Sequence, residues 1–357
     1  MCQIAFLAPG NPHFGGLAAY RRAQIIRQLS RWQSAARLAQ SGGQQKAAAM
    51  SSHLQNPIFH DEILAREWFE ARIWPNGPFC PHCGEAENVT RLNGKAHRPG
   101  VLQCNSCREQ FTVTVNTVCE RSKIPLTKWC MAIYLLNSSK KGMSALQMHR
   151  MMGGSYKTSW FMMHRIREAM NEGKLPGGLG GKNKVVEIDE TYVGGKAKNR
   201  KNKIPPKAAV LALVERDGSV RSFHVPHVSA ATLRPVIVAN VNRASFLMTD
   251  EAPVYTGIGR EFSAHGTVNH SAEEYVRRVF WHTNTVENYF SILKRGIVGI
   301  YHHVSETHLH RYGAEFDFRY NHRVGLGFTD MQRTEIAAAG IYGKRLTYRR
   351  AGEQPNL

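Results

Sequence analysis

The sequence predicts a mixed α/β domain in its back half, behind a small cysteine-stapled module and a helical segment. Three observations carry that prediction. Four cysteines fall in two CxxC pairs, Cys80/Cys83 and Cys104/Cys107, with twenty residues between the pairs. Helical patterns follow, up to a stretch GKLPGGLGGKNK (173–184) that holds five glycines and one proline. Beyond it, β-branched alternating segments interleave with helices, the pattern of helices laid on a mixed sheet.

Composition sets the bounds. The chain has 357 residues, more than one compact domain usually needs, and 42% of them are hydrophobic. Lys and Arg total 47 against 27 Asp and Glu, a net charge of +20. Such an excess suits a polyanion, because each neutralised phosphate releases condensed counterions. No stretch approaches the roughly 18–20 apolar residues of a membrane span. The seven cysteines are odd in number and no secretory signal is apparent. The CxxC spacing points to metal ligation in a reducing, cytoplasmic compartment over disulfides.

The first acidic residue is Asp61, after Arg21, Arg22, Arg27, Arg31 and Arg37. Residues 1–55 therefore read as a poorly ordered basic extension. A transit peptide, a DNA-touching arm and a tail added by an upstream start codon all fit; Met50 opens a more ordinary globular sequence. Residues 56–120 hold the first helix and the cysteine module. HDEILAREWFEAR (60–72) reads as an amphipathic helix with Ile63, Leu64, Trp68 and Phe69 on one side. Two CxxC knuckles can close a tetrahedral S4 shell around Zn2+, with Gly84 supplying a permissive backbone after the first. The Thr-Val-Thr-Val run at 112–115 reads as a strand of that ribbon. The zinc is structural: it stabilises a module short of core and lets it present Arg91, Lys95, Arg98 and Arg108.

Residues 121–172 read as helical. Ser144 caps a first helix, Gly153-Gly154 turns the chain, and a second helix follows from Tyr156. This resembles a helix-turn-helix, with Lys157, Arg165 and Arg167 of the second helix as DNA contacts. The alternative is a plain helical hairpin with Trp160, Met163 and Ile166 in its core. The glycine-rich stretch 173–184 reads as a linker. Strands are expected at 185–193, 208–216, 220–228 and 245–251, with Asp217-Gly218 marking a hairpin. A short strand at 267–269 and helices at 231–241, 282–295 and 306–322 complete a domain over 185–330. Residues 331–357 read as a basic tail.

The chemistry rests on carboxylates. Asp189 falls in one strand, Asp250 ends another, and Glu287 lies on a helix. Lys294 follows Glu287 by seven residues, two helical turns, so the two share a face. Acids that meet in space can hold two Mg2+ (or Mn2+) ions about 4 Å apart for in-line displacement at phosphorus. Glu190 and Glu251 are also candidates, but strand alternation turns them to the opposite face.

With these residues in place, the stretch from Phe79 to Arg323 resembles the zinc-ribbon DDE transposases of bacterial insertion sequences, of the ISXO type. The motifs that carry the resemblance are CPHCG…CNSC, VVEIDETYVGGK, MTDEAPVY, HTNTVENYFSILKRGIVGIYHHVS and HLHRYGAEFDFRYNHR. The resemblance implies an RNase H-like catalytic domain that cleaves and joins DNA. Asp189, Asp250 and Glu287 would be the acids that hold Mg2+. Asn284 and Asn288 stand beside the third position, but Glu287 has the charge and the offset from Lys294. Lys294 and Arg295 would touch terminal DNA. The implied partners are double-stranded DNA, as terminal inverted repeats and as target, and further copies of the chain in a homo-oligomer. Two other readings remain: a zinc-ribbon DNA-binding regulator with a non-catalytic domain, and a two-metal nuclease that cuts without joining. Lys196, Lys198, Arg200, Lys201, Lys203 and Lys207 form a basic run expected to face DNA. His270 and His282 are the histidines expected nearest the active site.

Overall fold

A computed structural model describes residues 53–173, 177–194, 207–268 and 282–347. The N-terminal extension to residue 52, most of the basic run after Gly194, His270 and residues from 348 onward lie outside it.

The chain opens with helix α1 (Glu62–Ile73), whose Asp61 cap accepts hydrogen bonds from the backbone N–H of Ile63 and Leu64. Its core side is Ala65, Phe69 and Ile73, spaced four apart. Ile63 and Leu64 were expected on that side but are 57% and 39% exposed. The ribbon follows as β1 (Val89–Arg91), β2 (Leu102–Cys104) and β3 (Gln110–Phe111), all antiparallel. The Thr-Val-Thr-Val run is not a strand. It turns back on itself through Thr112 Oγ1 to Thr114 Oγ1 (2.9 Å) and Thr117 Oγ1 to the Thr114 carbonyl (2.6 Å), which drives Val113 into the core.

Helices α2 (Leu126–Ser138), α3 (Ala145–Met152) and α4 (Tyr156–Met170) come next. Ser144 and Ser155 cap the latter two by accepting from the N–H of Gln147 and Thr158, and Gly153 and Gly154 make the turn with φ of 70° and 83°. The core of this front half also takes in Phe318, Ala337, Ala338 and Ile341, from the far end of the chain.

The back half is one five-stranded sheet of β4 (Val185–Val193), β5 (Ala208–Glu215), β6 (Val220–Val225), β7 (Phe246–Asp250) and β8 (Ala264–Val268), in the order β6-β5-β4-β7-β8. The β4/β5 and β5/β6 pairs are antiparallel; β4/β7 and β7/β8 are parallel. This is the RNase H-like arrangement of the expected α/β class. Val186, Ile188, Leu211 and Leu213 pack on one face against α5 (Ala230–Asn240) and α6 (Val254–Gly259). Val193, Val210, Ala212 and Val214 pack on the other against α7 (Asn284–Gly296) and α8 (Glu306–Asn321). In the expected hairpin the left-handed position falls on Asp217 (φ 56°).

Two expectations about connections change. Within the glycine-rich stretch Leu179 is buried and bridges Val241, so its second half belongs to the sheet domain's edge. The expected tail opens as helix α9 (Asp330–Ala339), capped by a Thr329/Gln332 capping box. Its Arg333, Thr334, Ala337 and Ala338 are buried, and Glu335 pairs with Arg72 of α1. A run whose Ile336, Ala337 and Ala338 face α1 and α2 has more to gain from burial than from solvation.

Candidate functional site

The four thiols form the first site. Their sulfurs all lie within 4.8 Å of one another, and the Cys80–Cys107 and Cys83–Cys104 pairs are each 3.6 Å apart. That is far too long for a disulfide and close to the ~3.8 Å edge of a tetrahedron with Zn–S of about 2.3 Å. The two knuckles match in detail. Gly84 N–H donates to the Cys80 carbonyl and Arg108 N–H to the Cys104 carbonyl, both at 2.9 Å. Gly84 (φ 87°) and Arg108 (φ 64°) are both left-handed, so the second knuckle accepts strain that the first avoids with glycine. The N–H groups of Cys107 and Ser106 hold the Cys104 thiol down to about 7, whereas the Cys83 thiol, hydrogen-bonded to the other three sulfurs, is pushed up to about 12 and the Cys80 thiol is raised by burial. Cys119 and Cys130 are buried elsewhere in the front core, and burial pushes the Cys119 thiol up to about 12.

The carboxylates form the second. The parallel register pairs Glu187 of β4 with Met248 of β7. Two residues further along each strand, past the last paired position, stand Asp189 and Asp250. Glu187, Asp189 and Asp250 face the α7 side, where Glu287 stands on the first turn of α7. Burial, then the charges of Glu190, Asp250 and Glu287, push the Asp189 carboxyl up to about 7. Asp250 accepts from Ala252 N–H (3.1 Å), and Glu287 Oε1 accepts from the Thr283 hydroxyl (3.1 Å). Among the described residues only the cysteines gather three or more ligand atoms as tightly as 4.8 Å. A pair of cations spaces its ligands wider than a single S4 shell does. Hard oxygen donors, one of them half-buried and crowded by like charge, are the donor set a divalent cation fits.

The neighbouring acids sort by face. Glu190 points to the other side of the sheet, where the buried Tyr255 hydroxyl donates to it; Glu251 is exposed. Lys294 is exposed, and Arg295 folds back onto Ser291 of its own helix.

The expected DNA contacts of α4 divide. Lys157 is exposed at the helix start, beside exposed Tyr156 and Thr158, which the sequence reading left out. Arg167 is not a DNA contact: it is 2% exposed and bound at 2.5 Å to fully buried Glu315 of α8. Arg165 is also engaged inward, donating to the carbonyls of Glu120 and Leu346 at 3.2 Å each. The helix buries eight of its residues from Ser159 on, so only its N-terminal turn is presented.

Sequence reading missed Glu187, Thr283 and Arg216. Glu187 is fully buried on the strand that bears Asp189, with Arg216 Nε 2.6 Å away. His282 Nδ1 lies 3.2 Å from the same oxygen, outside hydrogen-bond geometry. The signal available was its place in EIDET, two residues before Asp189 and on the same strand face.

Two stretches of the chain match known domain families. Residues 178–321 match the ISXO2-like transposase domain, and residues 60–110 match the transposase zinc-ribbon domain. A relative from Halobacterium salinarum, described as an uncharacterized protein in transposable element ISH50, is 28% identical over 274 residues. That similarity spans 69% of this chain and 86% of the relative. No helix among the described residues is long and apolar enough to cross a membrane. A zinc ribbon and an RNase H-like sheet thus match, in order along one sequence, the transposase zinc-ribbon domain and the ISXO2-like transposase domain.

Proposed function

We propose that the protein binds the ends of its own insertion element, cleaves one strand there, and joins the resulting 3′ end to target DNA. The observation that carries this reading is the pair Asp189 and Asp250 on adjacent parallel strands, facing the helix of Glu287, with the Asp189 carboxyl pushed up to about 7. Those three residues would hold divalent cations, which supply charge neutralisation at the reacting phosphate. The chain's own groups do the rest. Lys294, exposed and two turns along α7 from Glu287, would meet a terminal phosphate. The ribbon, and the first turn of α4 with Lys157, grip flanking duplex. The thiolate zinc site is consistent with a reducing cytoplasm. Joining ends in concert calls for at least two copies of the chain.

We take 60–110 as the ribbon, 121–172 as the helical DNA-binding segment and 178–321 as the catalytic domain. The test is Asp189→Asn and Asp250→Asn in a cleavage and strand-transfer assay with Mg2+ or Mn2+. Loss of both products with end binding intact is expected. Asp189→Asn cutting at the wild-type rate would sink the assignment. Nicks without joined products would point to the nuclease instead.

A further inference from the structure

Strand β4 carries three acids, and each is held differently. Glu190 is bound by Tyr255 on one face of the sheet. Asp189 lies on the opposite face and accepts from Glu190 N–H (2.8 Å). Glu187 shares that face but is fully buried, and both its oxygens are taken. Oε2 accepts from the backbone N–H of Thr285 (2.8 Å) and Val286 (3.0 Å); Oε1 accepts from the Thr285 hydroxyl (2.9 Å) and Arg216 Nε (2.6 Å). Arg216 reaches on to the His282 carbonyl at 2.8 Å.

Thr285 and Val286 are the second and third residues of α7, whose N-cap residue is Thr283. Their N–H groups are the ones an N-cap side chain normally satisfies, and threonine is a favoured cap. Thr283 makes no such bond. Its hydroxyl, 1% exposed, donates instead to Glu287 Oε1 at 3.1 Å. The cap has been supplied from 98 residues away, with a full negative charge set at the positive end of the helix.

We infer that Glu187 is a positioning residue: it caps α7 from the strand that bears Asp189, and so releases the Thr283 hydroxyl to orient Glu287. The inference rests on the metal-site reading of Asp189 and Glu287. It ties the spacing of strand and helix acids to one buried carboxylate, which Arg216 neutralises and whose filled oxygens leave no place for a cation. Loss of an outer partner of this kind typically costs about 10- to 100-fold in metal affinity or activity.

The experiment uses the full zinc-loaded chain and an element-end duplex. It measures Mn2+ affinity by calorimetry, the Mg2+ concentration for half-maximal cleavage, end binding, melting temperature, and amide exchange in the first turn of α7. Glu187→Gln and Thr283→Ala should each weaken Mn2+ binding and raise the Mg2+ requirement by about 10-fold, with end binding unchanged. Thr283→Ser should restore both. Exchange at Thr285 and Val286 should speed up in Glu187→Gln and not in Thr283→Ala. Phe290→Leu, in the core side of the same helix, should lower the melting temperature without moving the metal requirement. If Glu187→Gln does not fold, the Thr283→Ala and Thr283→Ser pair carries the test. Wild-type metal affinity in both Glu187→Gln and Thr283→Ala, while Asp189→Asn is inactive, would overturn the inference alone. Normal cleavage by Asp189→Asn would overturn the metal-site reading and this inference with it.

Discussion

At the scale of single residues, the protein turns on how side chains ionise and what they ligate. The Asp189 carboxyl sits at about 7, against a usual value of 3.8, chiefly through burial. The folded chain therefore keeps a proton that the unfolded chain gives up above about pH 4. Asp189 leaves stability intact below that pH and costs stability as pH rises towards 7, in the absence of divalent ions. Melting curves from pH 4 to 8 should show this slope in the wild type and a flatter one in Asp189→Asn. Mn2+ should raise the melting temperature more at pH 8 than at pH 6, because it competes with that proton. Equal slopes in the two proteins would count against the shift. At the ribbon, Cys104→Ser should drop zinc well below one ion per chain and unfold the module, by metal analysis and circular dichroism. Cys119→Ser, outside the S4 set, should keep its zinc.

Among elements, α4 shows how a helix that reads as a DNA probe spends most of its length as a strut. Its Arg167 is locked to Glu315, which also takes Tyr301 Oη (2.5 Å) and Arg319. Removing Arg167 leaves the buried Glu315 with Arg319 and Tyr301 but one charged partner short, so Arg167→Ala should lower stability in denaturant unfolding, towards the loss of about 3 kcal/mol that a broken buried pair gives. Lys157→Ala should instead leave stability alone, weaken end binding across sequences and reduce the salt slope by about 1. His164 of the same helix is 1% exposed, and burial holds it down to about 2. The unfolded histidine binds a proton below about 6.5 and the folded one does not. Stability at this junction is therefore full above that pH and lost as pH falls below it. His164→Phe should blunt acid unfolding; an unchanged acid limb would contradict this. The heptad of Glu287 and Lys294 was legible because it is local. The inward turn of Arg167 was not, since its partner lies 148 residues away.

On the scale of the whole molecule, the two halves are not beads on a linker. Helix α9 returns from the catalytic end to close the ribbon and helical core, and Lys344 donates to the carbonyls of Ala169 (2.8 Å) and Asn171 (2.6 Å) at the end of α4. Truncation after Thr329 should therefore collapse the N-terminal module, read as lost zinc and lost cooperative melting. A tail in solvent would leave both unchanged. A grip spread over the ribbon and α4, in a chain of net charge +20, should also make end binding fall steeply with salt.

The sequence by itself determined what local periodicity and spacing can encode: two zinc knuckles, the strands of the large sheet, most of the longer helices, and acids on two strands and a helix. These follow from turns and repeats a few residues long, where chain geometry leaves few options. Tertiary structure alone decided which charges face water and which face each other. Arg167 could be a DNA contact or half of a buried pair, and Glu187 could be a ligand or a cap. In each case the outcome depends on a partner about a hundred residues or more away, and burying a charge is tolerable only where that partner stands.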